Sequence, residues 1–326
     1  MAVLDELDLD AIAAARVRIA PHVVRTPLLR HRLGPGCELL LKPESLQPTG
    51  AFKLRGAFSL MTTLPRGGPG VVAHSSGNHA QAVARAARVL GLRAVIVMPD
   101  DAPAAKRART QADGAEVVVV GPDSEERARR AGAIAREQGL VPVPPFDDAL
   151  VAAGQGTAAL ELVEDAGALD RFYAPISGGG LMAGCAVALH ALQPGVELVG
   201  VEPEDGADVR ASLAASARCA VPPPRTIADG LRVRAPGVRT WPVLQRHLAR
   251  VELVSDDEML DAMAFALREL RLVLEPSGAA ALAAALREGS GRCGVLLSGG
   301  NAEPHHVAEA ARRAAADASP GRAPRA

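Results

Sequence analysis

Short apolar runs alternate with alanine-rich amphipathic stretches along most of the chain, and the turns between them are rich in glycine, serine, asparagine and proline. The pattern is clearest between residues 71 and 99. There 71–74 reads as a buried strand, 75–78 as a polar turn, the stretch up to 90 as a helix stopped by Gly91, and 94–98 as a second strand. A helix over 103–113, a strand over 116–120 and a helix over 124–138 follow, the last expected to be capped by Ser124 and stopped by Gly139. A second series predicts strand 172–176, helix 181–192, strand 197–202, a long helical stretch around 256–270 and strand 294–297. Strands that alternate with helices pair in parallel and are covered on both faces. The predicted fold class is therefore α/β, with two open, mostly parallel twisted sheets and helices on both faces.

At 326 residues the chain exceeds the roughly 250–300 at which a single core stops growing, so two packed lobes are expected. The proline-rich stretch 142–145 marks a crossing between them. The predicted division is a large domain made of 1–69 and 148–326, with a small domain, 70–147, inserted in it. The tail of alanine, arginine and proline after Arg313 is expected to fray.

Composition narrows the class of partner. Hydrophobic residues make up 48% and charged residues 22%, and 36 Lys+Arg against 37 Asp+Glu leave a net charge of -1, which argues against nucleic acid or an anionic membrane. No apolar stretch reaches the ~20 residues of a membrane span, and residues 1–20 are acidic where a secretion signal would be basic, so a cytoplasmic location is expected. Cys37, Cys185, Cys219 and Cys293 follow neither disulfide nor metal spacing and are expected to be reduced.

In an open α/β sheet a ligand sits beyond the carboxyl ends of the strands, which directs attention to three turns. Ser75-Ser76-Gly77-Asn78-His79 leads straight into a helix, where free N–H groups and the helix dipole favour a carboxylate or phosphate; an N-capped turn without ligand is the plainer reading. Ser177-Gly178-Gly179-Gly180 follows a strand in the same way. Three consecutive glycines would weaken a purely structural turn, so an anion cradle is expected. The spaced glycines of a dinucleotide motif and the lysine of a P-loop are both missing from it, which argues against nicotinamide or ATP chemistry as the main reaction. Ser298-Gly299-Gly300-Asn301 by itself reads as a plain strand-to-helix turn. Lys53, in Thr49-Gly50-Ala51-Phe52-Lys53-Leu54-Arg55-Gly56, stands out in a chain that otherwise uses arginine almost everywhere. An arginine cannot lose its proton to form a Schiff base.

Together these segments, in this order from Thr26 to Asn301, resemble the fold-type II pyridoxal-phosphate enzymes, which share the fold of the tryptophan synthase β chain, in the branch of serine/threonine dehydratases and serine racemase. The resemblance implies that Phe52 and Lys53 contact the cofactor, with Lys53 as the Schiff-base lysine. It also implies that Ser177, Gly178, Gly179, Gly180 and Leu181 cradle the phosphate, that Asn78 contacts the phenolic oxygen, and that Ser298 partners the pyridine nitrogen. Ser75, Ser76, Gly77, Asn78 and His79 would bind the substrate carboxylate. A hydroxyl at the pyridine nitrogen does not hold it protonated as an aspartate would, which favours loss of a β-leaving group over a long-lived carbanion.

The reaction so implied is elimination: Lys53 removes the Cα proton, the β-hydroxyl leaves as water, and the product hydrolyses to a 2-oxo acid and ammonia. L-Threonine or L-serine is the expected substrate. Ser76 resembles the racemase's proton donor on the opposite face, which makes it the second catalytic candidate. Glu275, in Glu275-Pro276-Ser277-Gly278, resembles a residue near the cofactor ring that supports others; an acid at a helix N-terminus is the alternative. Glu202, the Gly206 carbonyl and Asp208 resemble a site for Mg²⁺, Mn²⁺ or Ca²⁺; a solvated acidic loop is the alternative. Phe146-Asp147-Asp148 is closer to the catabolic dehydratases than to the racemase. After Asn301 there is room for about one helix and a tail, so a C-terminal regulatory domain is not expected. The alternatives are a serine racemase, a dehydratase of 3-hydroxyaspartate or of the hydroxyectoine pathway, and, outside enzymes, a ligand-binding module on the same fold. Lys53 beside two glycine loops argues against the last. The resemblance implies a homodimer.

Overall fold

The computed structural model describes residues 4, 6–288 and 290–317. Helix α1 (Leu9–Ile19), capped by the Asp8 carboxylate on the Ala11 N–H, is followed by strands β1 (Leu29–Gly34) and β2 (Cys37–Pro43) and by helix α2 (Lys53–Met61). Next come β3 (Val71–His74), α3 (Asn78–Leu90), β4 (Ala94–Pro99), α4 (Ala104–Ala112), β5 (Glu116–Val120), α5 (Ser124–Gln138) and β6 (Val141–Pro142). Their strands form a four-stranded sheet in the order β5-β4-β3-β6, parallel throughout.

The remaining elements are α6 (Ala149–Ala166), β7 (Arg171–Pro175), α7 (Gly180–Leu192), β8 (Glu197–Pro203), α8 (Asp208–Ala215), α9 (Trp241–His247), β9 (Arg250–Val254), α10 (Asp256–Phe265), α11 (Pro276–Glu288), β10 (Gly291–Leu297) and α12 (Pro304–Asp317). They complete a six-stranded sheet in the order β1-β2-β10-β7-β8-β9, in which β1 and β2 are antiparallel and the other pairs parallel. Alternation along each strand sends neighbours to opposite faces. Leu40 and Phe172 thus join the α6–α7 core, while Leu39, Leu41, Tyr173 and Val199 join the core under α10 and α11. The smaller sheet is likewise covered twice, by α2 and α3 against Val71, Ala73 and Ile96, and by α5 against Val72, Val95 and Val97.

Three sequence expectations need correction. Helix α5 starts at Ser124, but the capping carboxylate is that of Asp123, on the Glu125 N–H at 3.0 Å. The predicted fraying after Arg313 gives way to helix through Asp317, with Arg313 ion-paired to Asp257, Asp261 and Glu309; 318–326 lie outside the described residues. The stretch 256–270 is α-helical only to Phe265, then makes a π turn over Ala266–Leu270 that ends on Arg271 at φ +60. Among the described residues, no helix is long and apolar enough to cross a membrane, and the four cysteines are unpaired.

Candidate active site

Lys53 is the first residue of α2, and main-chain contacts tie it to the end of β10. The Phe52 N–H donates to the Ser298 carbonyl at 3.0 Å, and Ala51 bridges antiparallel to Gly299. The Lys53 amine lies 5.1 Å from the centre of the Phe52 ring and donates to the Pro145 carbonyl at 2.6 Å. With no carboxylate partner among the described residues, burial pushes its pKa down to about 8. Such an amine gives up its proton far more readily than a solvated lysine, as a nucleophile or base must.

Phe146, next to Pro145, connects Lys53 to the glycine loop. A Cβ on Gly178 would stand 2.3 Å from the Phe146 ring, and one on Gly180 would stand 2.7 Å from the Phe146 carbonyl. Gly179 turns the chain at φ +93 to start α7. The loop is braced: the Gly178 carbonyl accepts from the Gly237 N–H at 3.1 Å and from the Thr240 hydroxyl at 2.6 Å. Asp147 in turn holds that brace, accepting from the N–H groups of Val238, Arg239 and Thr240 at 3.0, 2.8 and 3.1 Å. The first-turn N–H groups of α7 have no helical partner and suit an anion.

The turn after β3 starts α3 with Asn78 as its first residue. Ser75 Oγ accepts from the Gly77 N–H at 3.2 Å, and among the described residues the Ser76 hydroxyl has no partner. His79 is buried, with Nε2 2.8 Å from the Val143 carbonyl; burial pushes its pKa down to about 3, so the ring is neutral. Its main-chain N–H, rather than its ring, is what this turn can offer a carboxylate. The Asn78 amide donates to Glu275 Oε1 at 2.5 Å and accepts from Asn301 Nδ2 at 2.9 Å. Asn301 Nδ2 also donates to the Thr49 carbonyl at 2.8 Å. Asn301, which the sequence places in a plain turn, is therefore a hub between α3 and the loop before α2. A signal exists in Gly50, at φ +74, where a Cβ would stand 2.6 Å from the Asn301 side chain.

Two buried polar groups in this cleft lack full partners. The Ser298 hydroxyl makes only a long 3.4 Å contact to the Ser277 carbonyl, and Glu275 Oε2 has none. Burial, then Asp229, raises the Glu275 carboxyl to about 7. Further off, Glu202 and Asp208 are buried together at the start of α8. Glu202 accepts from the Val209 and Arg210 N–H groups at 2.8 and 2.9 Å, the Gly206 carbonyl accepts from the Asp208 N–H at 3.0 Å, and Asp208 Oδ2 has no partner. Burial raises both carboxyls, and the charge of Glu202 adds to the rise at Asp208. Among the described residues no group of three or more His, Cys, Asp or Glu gathers as a metal cluster.

The cleft combines an amine of lowered pKa, a glycine turn at the start of α7, a polar turn at the start of α3 and an undersatisfied serine hydroxyl. That donor set fits pyridoxal phosphate: Lys53 for the aldehyde, the α7 turn for the phosphate, Ser298 for the ring nitrogen. Fold and site thus define an enzyme working through a carbonyl cofactor held on a lysine. The family model described as "Pyridoxal-phosphate dependent enzyme" matches residues 19–299, and the chain belongs to that family, in its fold type II. It is 40% identical to an L-threo-3-hydroxyaspartate ammonia-lyase of Pseudomonas sp over 90% of this chain and 95% of the relative. To a serine racemase of Schizosaccharomyces pombe it is 38% identical, over 90% and 94%. Among solved structures, a threonine deaminase from T.th. is 45% identical with a TM-score of 0.87, covering 91% of this chain and 99% of that one.

Proposed function

We propose that the chain eliminates water from a β-hydroxy amino acid, L-threonine or L-serine, with Lys53 as the base at Cα, and that hydrolysis of the resulting enamine takes the water back and releases a 2-oxo acid and ammonia. The observation that carries this is the Lys53 amine, pushed down to about 8 and joined through Pro145 and Phe146 to the glycine loop. Relatives named for threonine deamination and for hydroxyaspartate ammonia-lyase activity support it. Bound pyridoxal phosphate supplies the electron sink for a deprotonated Cα.

The chain's own residues do the positioning. N–H groups of the Ser75–His79 turn hold the α-carboxylate and so fix Cα, while Ser177 to Leu181 hold the phosphate. Asn78, fixed between Glu275 and Asn301, is ready for the phenolic oxygen. Ser298 contributes a neutral hydroxyl at the ring nitrogen. Lys53 then takes the Cα proton, and Ser76, with its unengaged hydroxyl, serves proton transfer on the other face. That free hydroxyl favours racemisation as a second activity.

Three further parts belong to the same proposal. A divalent cation at Glu202, Asp208 and the Gly206 carbonyl is supported by two buried carboxylates with an unsatisfied oxygen. A cytoplasmic homodimer is supported by the unpaired cysteines for its location and by the family resemblance for its assembly. Domain boundaries at 69/70 and 147/148 are supported by the division of strands between the two sheets.

The test is 2-oxo acid release from L-serine, L-threonine, D-serine and threo-3-hydroxyaspartate. Lys53→Ala is expected to lower every rate by ~10³-fold or more. Ser76→Ala is expected to abolish activity on D-serine and any racemisation while L-substrates still react slowly. Wild-type turnover in Lys53→Ala removes the proposal, and equal loss on both enantiomers in Ser76→Ala removes the two-face role.

A further inference from the structure

The chain holds three lysines among its 36 Lys+Arg. Lys42 belongs to a buried network with Glu161, at 2.7 Å, and Lys53 to the active site. Lys106 is left over. It lies on α4, is 5% exposed, and among the described residues forms one ion pair, with Asp229. Its ammonium stands 3.8 Å from where Gly77, in the carboxylate turn, would carry a Cβ.

Asp229 reaches Lys106 from the larger sheet's side of the cleft. Its neighbour Gly230 donates to the Ser277 hydroxyl at 2.9 Å, and the Ser277 carbonyl is the group that Ser298 contacts. The pair therefore closes over the substrate turn from the side of the cofactor-ring residues. Its members are unequal: the Lys106 side chain is 6% exposed and that of Asp229 36%. A buried ammonium must keep a carboxylate partner, whereas a partly exposed carboxylate can swing into water at small cost. Glu275 and His306 also face the pair; neither is an alternative partner within hydrogen-bond reach among the described residues.

We propose that the Lys106–Asp229 pair sets the charge of the substrate side chain that the cleft accepts, Asp229 occupying on Lys106 the place a second substrate carboxylate would take. A neutral side chain leaves the pair intact. An acidic one must displace Asp229 and then gains a buried, charge-assisted contact. The inference rests on the Ser75–His79 turn being the α-carboxylate site.

The experiment compares holoenzymes of wild type, Asp229→Asn and Lys106→Met by the ratio of kcat/KM on threo-3-hydroxyaspartate to that on L-serine. A ratio is independent of how much of each variant folds. Asp229→Asn is expected to raise it and Lys106→Met to lower it, each by ~10-fold or more, the factor carried by a charged hydrogen bond. The ratio of dissociation constants for L-aspartate and L-alanine, which have no β-hydroxyl to lose, is expected to move in parallel when measured by calorimetry. Ratios that stay at the wild-type value, or shift in the same direction in both variants, overturn the proposal and leave the pair as a tie between lobes. Absence of 2-oxo acid from every substrate with wild type is a failure of the elimination reading instead, and the binding ratio still decides the role of the pair.

Discussion

Glu275 keeps its proton in the folded chain up to about pH 7, against ~4.3 for an unfolded glutamate. Between those values the folded state binds more protons than the unfolded one. Stability therefore falls as pH rises through this window, and the contribution is fully present below the lower value and lost above the upper. For the cofactor-free protein we expect Glu275→Gln, which keeps the Asn78 contact without a titrating proton, to flatten that fall by up to ~3 kcal/mol. Melting curves of both proteins from pH 5 to 8 measure it; parallel curves contradict the assignment. At this scale the sequence is legible where chemistry demands one residue type. Lys53 stands out for that reason, because no arginine could form the Schiff base proposed for it. Arg55, two positions on, looks like any surface arginine in the sequence, yet it is fully buried against Glu44 and Glu161, at 2.8 Å to each. Its partners lie 11 and 106 residues away, and no local pattern announces them. Asn301 and Asp147 escaped for the same reason.

Among elements, β3, β4 and β5 are legible because each is a short apolar run between a glycine stop and a polar turn; β6, two residues at the start of the proline-rich stretch read as a crossing, is not. Helix α6 is not. Fourteen of its 18 residues are buried, so no polar face gives it a helical period. Small residues let it approach α7 closely: a Cβ on Gly184 would stand 2.0 Å from the Ala152 carbonyl. The start of α8 offers a test of a different kind. A cation between Glu202 and Asp208 would relieve two carboxyls whose pKa burial raises and would compete with their protons, so Mg²⁺ should raise the melting temperature and EDTA lower it, more at pH 8 than at pH 5. Asp208→Ala should abolish that response. An identical response in variant and wild type contradicts a site there.

At the scale of the whole molecule, α2 is the joint. It packs on α3 above the small sheet and on α6 beneath the large one, and its first residue is Lys53. The turn after β10 is bridged to the segment that leads into it, the glycine loop reaches it through Phe146, and the Lys106–Asp229 pair joins α4 to the turn at 229–231. The class of this architecture was readable from motif order, whereas the ties between lobes were not, since they join residues from distant segments. The proposed function depends on Lys53 holding the cofactor. The most direct measurement is borohydride reduction of the protein loaded with pyridoxal phosphate, followed by digestion and mass spectrometry. A phosphopyridoxyl group is expected on Lys53 and on neither Lys42 nor Lys106. Fixation on another lysine, or none in a protein that still binds the cofactor, contradicts it.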